Sequence, residues 1–378
     1  MKPNKLIVLL SIFLLLNSCV SMFIPEITES QDLLVVEGLI TDQPGINTIK
    51  LSLSMPLGKR ADAIPLGGCS VFLSDDFGNS YHLSENKTGI YVTDPSEFCG
   101  IIGRKYMLKI FTNSISSINY SYESLPMEML PVPAIDSLYY ERETIEEESE
   151  GIQLKEGCQI YLSTHDPADN CKYYKYDFIE TWEITLPYQD VIYRTCWVSS
   201  DTNKIILKNT SILSENKITR LPLNFISNET DRLSLKYSML ANQYSLNEDE
   251  YIYWEKLQTV TQDVGNLYDI IPSSVPGNIF CVEDPAEKVL GFFSVSAKAS
   301  KRIFIKDRFS GVFFPYSDLI CQPVSTGGII PGLGISAWMI IDGSSMRPPF
   351  RVYTYNQSCA DCTTRGTNVE PLFWNDDK

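Results

Sequence analysis

Cys19 is the residue whose type and position predict the most definite chemistry. It closes the segment Leu16-Asn17-Ser18-Cys19, which follows Lys2, Lys5 and a nearly unbroken apolar run over residues 6–16. A basic start, an apolar stretch and small or polar residues before a cysteine are typical of a signal peptide that is cleaved to leave a lipidated cysteine. The sequence therefore predicts acylation at Cys19.

This pattern divides the start of the chain into two parts. Residues 1–18 are expected to be removed as a lipoprotein signal peptide, and residues 19–32 to carry the lipid and act as a tether. The apolar run is about half as long as the roughly 20 residues that a transmembrane helix needs. We therefore expect a protein that is anchored to a membrane by its lipid and does not span it.

Cys359 and Cys362 form the motif Cys359-Ala360-Asp361-Cys362, a spacing found in zinc sites, redox dithiols and disulfides. Zinc needs two more ligands, and the sequence contains no second pair of this kind. In an oxidising compartment we expect structural disulfides instead, either between these two cysteines or from each of them to other cysteines. Nine cysteines follow Cys19, so at least one stays unpaired and the connectivity is open.

Side chains that commonly catalyse reactions are scarce. The two histidines, His82 and His165, and the lack of a Gly-x-Ser-x-Gly motif argue against serine hydrolases and histidine-rich metal sites. Glu180 and Glu183 lie three apart on a predicted strand and should face opposite sides, which does not suit a paired-carboxylate glycosidase. The glycine-rich segment 327–334 lacks the Lys and Ser/Thr of a phosphate loop. We predict no catalytic residue, no metal and no cofactor.

Two features relate to sugars. Asp136-Ser137-Leu138 has the short Asp-Ser-apolar form of O-glycosylation sites in Bacteroidota envelope proteins, which makes Ser137 a candidate for modification, although the same residues also begin a predicted strand. Tryptophans can stack on sugars, but isolated ones are usually core residues. The five tryptophans are Trp182, Trp197, Trp254, Trp338 and Trp374.

The charge of the chain excludes some partners. Without Lys2 and Lys5 of the signal peptide, 29 basic residues stand against 47 acidic ones, which gives a formal charge of −18. A surface of this sign repels phosphate backbones and anionic lipid headgroups, so nucleic acid is not an expected partner. The lipid, and not surface charge, should hold the protein to the membrane.

The elements that must position these residues are mainly strands. About seven short strands with turn residues between them predict an immunoglobulin-like β-sandwich over residues 33–124. Prolines over 125–134 predict a linker, and residues 135–378 a larger β-rich domain. Within that domain, Ser245 to Glu248 resembles a capping box, and apolar residues at helical spacing follow it, so we predict a helix from about 246 to 264.

Several segments together resemble the Bacteroidota outer-membrane lipoproteins known as domain of unknown function 4249 (DUF4249). The resemblance covers nearly the whole mature chain, and its most specific pieces are Val36-Glu37-Gly38 and the ending from Cys359-Ala-Asp-Cys362 to Phe373-Trp374. It implies an outer-membrane lipoprotein, often encoded beside a TonB-dependent transporter, and no established activity. Residues 20–24 lack the acidic run that often exports such lipoproteins to the cell surface, so both faces of the outer membrane remain open.

These observations lead to one main hypothesis and one alternative. The main hypothesis is a non-enzymatic outer-membrane lipoprotein that captures a nutrient ligand for a TonB-dependent transporter barrel or gates access to it. The alternative is a surface adhesin or glycan-binding module. Both use the anchor at Cys19, because tethering a binding domain beside a partner raises its effective concentration.

Overall fold

A computed structural model describes residues 33–54, 63–112, 120–149, 151–262, 275–326 and 337–376. Cys19, the predicted signal peptide and tether, and the glycine-rich segment 327–334 lie outside these ranges. No helix within the described ranges is long and apolar enough to cross a membrane.

The described residues form 22 strands and two α-helices, so the predicted mainly β fold is confirmed. The first nine strands are β1 (Leu34–Thr41), β2 (Thr48–Leu53), β3 (Ile64–Pro65), β4 (Ser70–Asp75), β5 (Ser80–Lys87), β6 (Ile90–Val92), β7 (Lys105–Phe111), β8 (Ser121–Ser124) and β9 (Met127–Glu128). The next seven are β10 (Ile135–Ser149), β11 (Gly151–His165), β12 (Tyr173–Thr185), β13 (Thr195–Asp201), β14 (Ile206–Asn209), β15 (Lys217–Ser227) and β16 (Tyr237–Leu246). The remaining elements are α1 (Glu248–Gln262), β17 (Ile279–Cys281), β18 (Leu290–Ser296), β19 (Lys298–Ile305), α2 (Asp318–Cys321), β20 (Val324–Thr326), β21 (Trp338–Gly343) and β22 (Phe350–Thr354).

Eleven strands join into one strongly curved sheet around the first hydrophobic core. Its order is β17-β8-β7-β4-β5-β6-β2-β1-β18, with β3 paired to β2 and β9 to β7. Strand β5 connects the part of the sheet that contains β4 to the part that contains β6. Residues 80–83 pair with β4, while Ser84, Glu85 and Lys87 pair with β6. Through β5 the strands form one continuous sheet. The immunoglobulin-like sandwich predicted for residues 33–124 remains a prediction.

The two ends of this sheet meet at β17 and β18. The Asn278 side chain exchanges two hydrogen bonds of 2.8 and 2.9 Å with the backbone of Phe293. The approach is so close that a Cβ at Gly277 would lie 1.8 Å from the carbonyl oxygen of Gly291. Gly291 itself has φ +90°, and its own Cβ would meet Val36 O at 2.0 Å, so only glycine fits at both positions.

The predicted division into residues 33–124 and 135–378 requires a correction. Strand β18 pairs in parallel with β1, and β17 pairs with β8, so residues 279–296 complete the first sheet. Helix α1 contributes Tyr253 and Val260 to the same core. The strand pattern near the start of the chain gave no sign of these partners, because each of the two strands lies more than 150 residues from the strand it pairs with.

The proline-rich segment 125–134 is fixed in place and is not a free linker. Met127 and Glu128 form β9, and Met129 is fully buried. The prolines of this segment have no backbone N–H and cannot donate to a sheet. Its carbonyl groups instead accept hydrogen bonds from side chains around the end of β16. Three bonds do this: Gln243 Nε2 donates to Pro133 O at 2.9 Å, Ser245 Oγ to Leu130 O at 2.6 Å, and Asn247 Nδ2 to Glu128 O at 3.0 Å.

The other described strands form three further sheets, and the first two of these pack around a second core. These sheets have the orders β10-β11-β15, β13-β12-β16-β19 with β14 paired to β12, and β20-β22-β21. In β12, burial alternates over most of the strand, as expected when one face packs on a core.

Cys359 and Cys362 are both in disulfides, but not with each other. Cys362 is bonded to Cys196 of β13, and Cys359 to Cys321 at the end of α2. Of the two arrangements that the motif allowed, the local bridge is therefore wrong and the bridges to other cysteines are present. The tertiary fold brings Cys196 and Cys321 to the motif from 166 and 38 residues away, which no local pattern indicates.

The predicted helix exists but begins later. Leu246 is the last residue of β16, and α1 starts at Glu248. Ser245 does not cap it, because its hydroxyl donates to Leu130 O and accepts from Ala297 N in the sheet. The Tyr251 amide donates to Asn247 O in the first turn. The described helix ends at Gln262, and its predicted end at 264 lies outside the described residues.

Candidate functional site

A cavity of about 650 Å³ lies between the outer face of the first sheet, helix α1 and the paired strands β12 and β16. This volume is in the range of small-molecule sites. Its residues come from segments that are distant in sequence. They are Val35, Glu37, Gly38, Leu39, Thr48, Lys50, Lys175, Tyr244, Leu246, Glu250, Tyr253, Trp254, Leu257, Val275, Leu290, Gly291, Phe292, Ser294 and Ser296.

The parallel pair β1 and β18 forms one wall of the cavity. Val35 is opposite Leu290, Glu37 opposite Phe292 and Leu39 opposite Ser294. Because side chains alternate across a strand, these residues share one face while Leu34, Val36 and Ile40 point into the first core. Helix α1 packs on part of this outer face, where Tyr253 lies 4.7 Å from the ring of Phe292, while Glu37 remains exposed.

Glu250 is the most unusual side chain in the cavity. It is only 1% exposed, and it lies in the first turn of α1, where a carboxylate is favoured by the helix dipole. Trp254 Nε1 donates to its Oε1 at 3.3 Å. Its Oε2 has no hydrogen-bond partner among the described residues. The nearby Ser294 hydroxyl helps to lower the pKa of Glu250 but does not reach hydrogen-bonding geometry with Oε2.

Lys175 faces Glu250 across the indole of Trp254. Its Nζ lies 3.6 Å from the centroid of the Trp254 ring, a cation–π contact. Burial lowers the pKa of Lys175, while the carboxylates of Glu250 and Asp177 act in the opposite direction. No hydrogen bond joins its ammonium group to any residue that the structure describes. Lys175 also lines the cavity, so its ammonium group is available to a ligand there.

Two serines add further hydrogen-bonding capacity. Ser294 and Ser296 are 4% and 0% exposed, and both line the cavity. Within the described ranges, Ser296 Oγ has no hydrogen-bond partner. Buried polar atoms are nearly always satisfied in folded proteins. Of the eight buried side-chain atoms without a hydrogen-bond partner among the described residues, two, Glu250 Oε2 and Ser296 Oγ, belong to residues that line this cavity.

Burial raises the pKa of Glu250 to about 7, although Ser294, Lys175 and Trp254 each act to lower it. In the unfolded chain this carboxyl group loses its proton near pH 4.3. Between about pH 4 and pH 7 the native state therefore binds more protons than the unfolded state, and the free energy of unfolding falls as the pH rises. Glu250→Gln lacks this titrating carboxyl group. We therefore expect its free energy of unfolding, relative to that of the wild type, to rise by about 2 to 3 kcal/mol between pH 5 and pH 8. Urea unfolding at both pH values measures this difference.

The matched control is Glu255→Gln, the same substitution at an exposed position of the same helix. It should leave the pH dependence of the free energy of unfolding as in the wild type. An equal pH dependence in Glu250→Gln and the wild type would show that the Glu250 carboxyl group does not titrate differently on folding.

The residues that sequence reasoning considered for catalysis are not brought together. Glu180 and Glu183 do face opposite sides of β12: Glu180 is buried and bonded to Arg232, whereas Trp374 Nε1 lies 3.4 Å from Glu183 Oε2. His165 is exposed at the end of β11. Within the described ranges, no three His, Cys, Asp or Glu side chains converge to hold a metal ion.

The predicted sugar-related residues lie apart from the cavity, with one exception. Ser137 is partly buried in β10 beside a break in strand register, and the backbone oxygen of Asp136 accepts from Lys301 Nζ at 2.6 Å. Trp182 and Trp374 are core residues, as expected of isolated tryptophans. Trp254 alone lines the cavity, and Lys175 covers its ring.

Sequence reasoning missed Glu250 and Lys175. A signal for Glu250 was present, because it precedes Trp254 by four residues and Leu257 by seven and so shares their helix face. An acidic residue on the apolar face of a predicted helix is a candidate for a buried charge. Lys175 gave no comparable signal, since alternation along β12 is the same for a solvated face and for one covered by another element.

Comparison with protein families gives one result. The family model described as Domain of unknown function (DUF4249) matches residues 20–302. No curated protein matches the chain. Every residue that lines the cavity falls inside the matched range, whereas Cys321, Cys359 and Cys362 lie beyond it. The match covers well over half of the sequence, and the chain therefore belongs to the DUF4249 family.

Proposed function

We propose that this protein is a non-enzymatic, lipid-anchored binding protein of the outer membrane, which captures a small molecule and presents it to a TonB-dependent transporter barrel. The observation that carries the proposal is the cavity beneath α1, where Glu250 Oε2 and Ser296 Oγ are buried without partners. An unpaired buried polar atom costs about 1–3 kcal/mol, and a ligand that satisfies it recovers this free energy.

The predicted lipid at Cys19 supports the same proposal. A tether holds the cavity beside the membrane, so that a modest affinity for ligand or partner suffices at high effective concentration.

The anchor is tested by Cys19→Ala in the full chain, expressed in its native envelope. We expect the wild type in the outer-membrane fraction and the variant largely outside it, because cleavage and acylation both need the cysteine. Cys99→Ala, which removes an exposed free thiol, is the control and should stay with the membrane. Membrane retention of Cys19→Ala equal to that of the wild type would exclude the lipid anchor.

The partner is tested by affinity purification of a tagged full chain from solubilised outer membranes. Co-purification of a TonB-dependent transporter in the wild type, and its loss from Cys19→Ala, is the expected result. Recovery of the wild-type protein without any transporter barrel would contradict the transporter part of the proposal.

A further inference from the structure

The geometry points to the chemical class of the ligand: we propose that the cavity binds a small zwitterion with an apolar body, such as a short apolar peptide with both termini free. This inference rests on the proposed function, since it names what the binding protein captures. It is argued from the acceptor, the donor, the walls and the net charge of the cavity.

The acceptor is Glu250. Its Oε1 is already engaged by Trp254 Nε1, and its Oε2 is buried without a hydrogen-bond partner among the described residues, in a side chain that lines the cavity. An ammonium group placed there would form a charge-assisted hydrogen bond, which is roughly twice as strong as a neutral one. The unpartnered Ser296 Oγ lines the same cavity and offers a second acceptor for the remaining N–H groups.

The donor is Lys175. Its ammonium group rests on the Trp254 ring and makes no hydrogen bond to a described residue, so a ligand carboxylate would supply the missing acceptor. Lys175 and Glu250 both contact the one indole of Trp254, yet they form no ion pair within 4.0 Å among the described residues. A ligand that carries an ammonium and a carboxylate can therefore lie between them.

The walls supply an apolar surface for the body of the ligand. Leu39, Leu257, Leu290 and Phe292 line the cavity together with the aromatic rings of α1 and β16. A volume of about 650 Å³ exceeds what one small amino acid fills and suits a molecule of two or three residues. Burial of that surface would favour binding, because removing apolar area from water is favourable.

The net charge of the lining favours a zwitterion over a simple acid or amine. The lining contains two acidic side chains, Glu37 and Glu250, and two basic ones, Lys50 and Lys175. Glu37 and Lys50 form an ion pair with each other at 3.9 Å on the exposed edge of the cavity. A fatty acid would leave Glu250 buried without a partner, and an alkylamine would leave the partly exposed ammonium group of Lys175 without an acceptor. Leaving one buried charge unpaired is strongly unfavourable.

The test uses the full chain in phospholipid nanodiscs and isothermal titration calorimetry. The probes are leucylphenylalanine, its N-acetyl form without the ammonium, and its C-terminal amide without the carboxylate. We expect the dipeptide to bind and each blocked form to bind about tenfold more weakly or worse, because each loses one charge-assisted hydrogen bond. The dipeptide recovered afterwards should be chemically unchanged.

Two variants assign each terminus to its partner. In Glu250→Gln, N-acetylation should change the affinity less than twofold while amidation still weakens binding about tenfold, and Lys175→Met should show the reverse. Glu255→Gln, outside the cavity, should keep both penalties. A purely structural role of Glu250 or Lys175 would weaken all three probes alike and would not remove one penalty selectively.

Three outcomes would overturn the inference: no binding of the dipeptide, equal binding of the blocked forms, or the same penalties in all variants. None of these decides the proposed function, because membrane anchoring and recovery of a transporter are measured without any peptide. Conversely, selective peptide binding by a chain that never associates with a transporter would keep the ligand class and reject the partner.

Discussion

Replacing both Cys196 and Cys362 with alanine is expected to lower the free energy of unfolding by about 5 kcal/mol, the value that loop-closure entropy gives for a bond across this many residues. The bond joins residues 166 apart and holds the C-terminal segment against β13. The same segment is also held by two backbone hydrogen bonds between Trp197 and Thr367, of 2.8 and 3.0 Å. Since domains are typically stable by 5–15 kcal/mol, much of the stability depends on this bond.

Urea unfolding of the full chain measures the loss, and two further variants calibrate it. The shorter bond between Cys321 and Cys359 spans 38 residues, so its removal by two alanines should cost about 4 kcal/mol. Cys99→Ala removes an exposed free thiol and should change stability by less than about 0.5 kcal/mol. A loss near zero for the Cys196 and Cys362 double variant would show that the segment is held without the bond.

Glu180→Ala is expected to cost about 3 kcal/mol, because it removes a buried carboxylate that accepts two hydrogen bonds and pairs with the partly exposed Arg232. Glu180 is 4% exposed, and its Oε2 lies 2.8 Å from an Arg232 nitrogen. Its Oε1 accepts from Tyr237 Oη at 2.6 Å and from Asn224 Nδ2 at 2.7 Å. Without the carboxylate, the fully buried Tyr237 hydroxyl and the Asn224 amide lose an acceptor.

Glu183→Ala is the matched control, three residues along the same strand and on its other face. It is partly exposed and has one long contact with Trp374, so we expect a cost below about 1 kcal/mol. Urea unfolding separates the two variants, and the affinity of folded Glu180→Ala for the dipeptide should stay within twofold of the wild type. Equal stability losses would mean that the Glu180 network is not a special feature of the core.

The strands and the helix were accessible to prediction because their signals are local. The alternation of Leu34, Val36 and Ile40 with Glu37 marks a strand with one buried face, and the structure places β1 there. Tyr253, Leu257 and Val260 mark a helix in the same way, and α1 is present. The start of α1 was misplaced because the Ser245 hydroxyl, a good capping group, is instead used by the sheet.

The pairing of distant segments was not accessible to prediction. Nothing in residues 34–41 indicates that their outer neighbour is a parallel strand beginning at Leu290, and the boundary placed at 125–134 failed for this reason. The motif at Cys359 and Cys362 left the same ambiguity, since spacing alone cannot choose between a local bridge and two distant ones. Both choices depend on which surfaces the whole chain buries together.

The sequence by itself determined the mainly β class, the helix and the acidic charge, because periodicity and charge are properties of neighbouring residues. It also predicts the anchor at Cys19, from a cleavage signal that is equally local. Only the tertiary structure decided that β18 closes against β1, that Cys362 meets Cys196, and that Glu250 faces Lys175 inside a cavity. The physical reason is burial. A carboxylate in the first turn of a helix is ordinary on the surface, and it becomes a candidate binding group only when other segments remove its water and leave one oxygen without a partner.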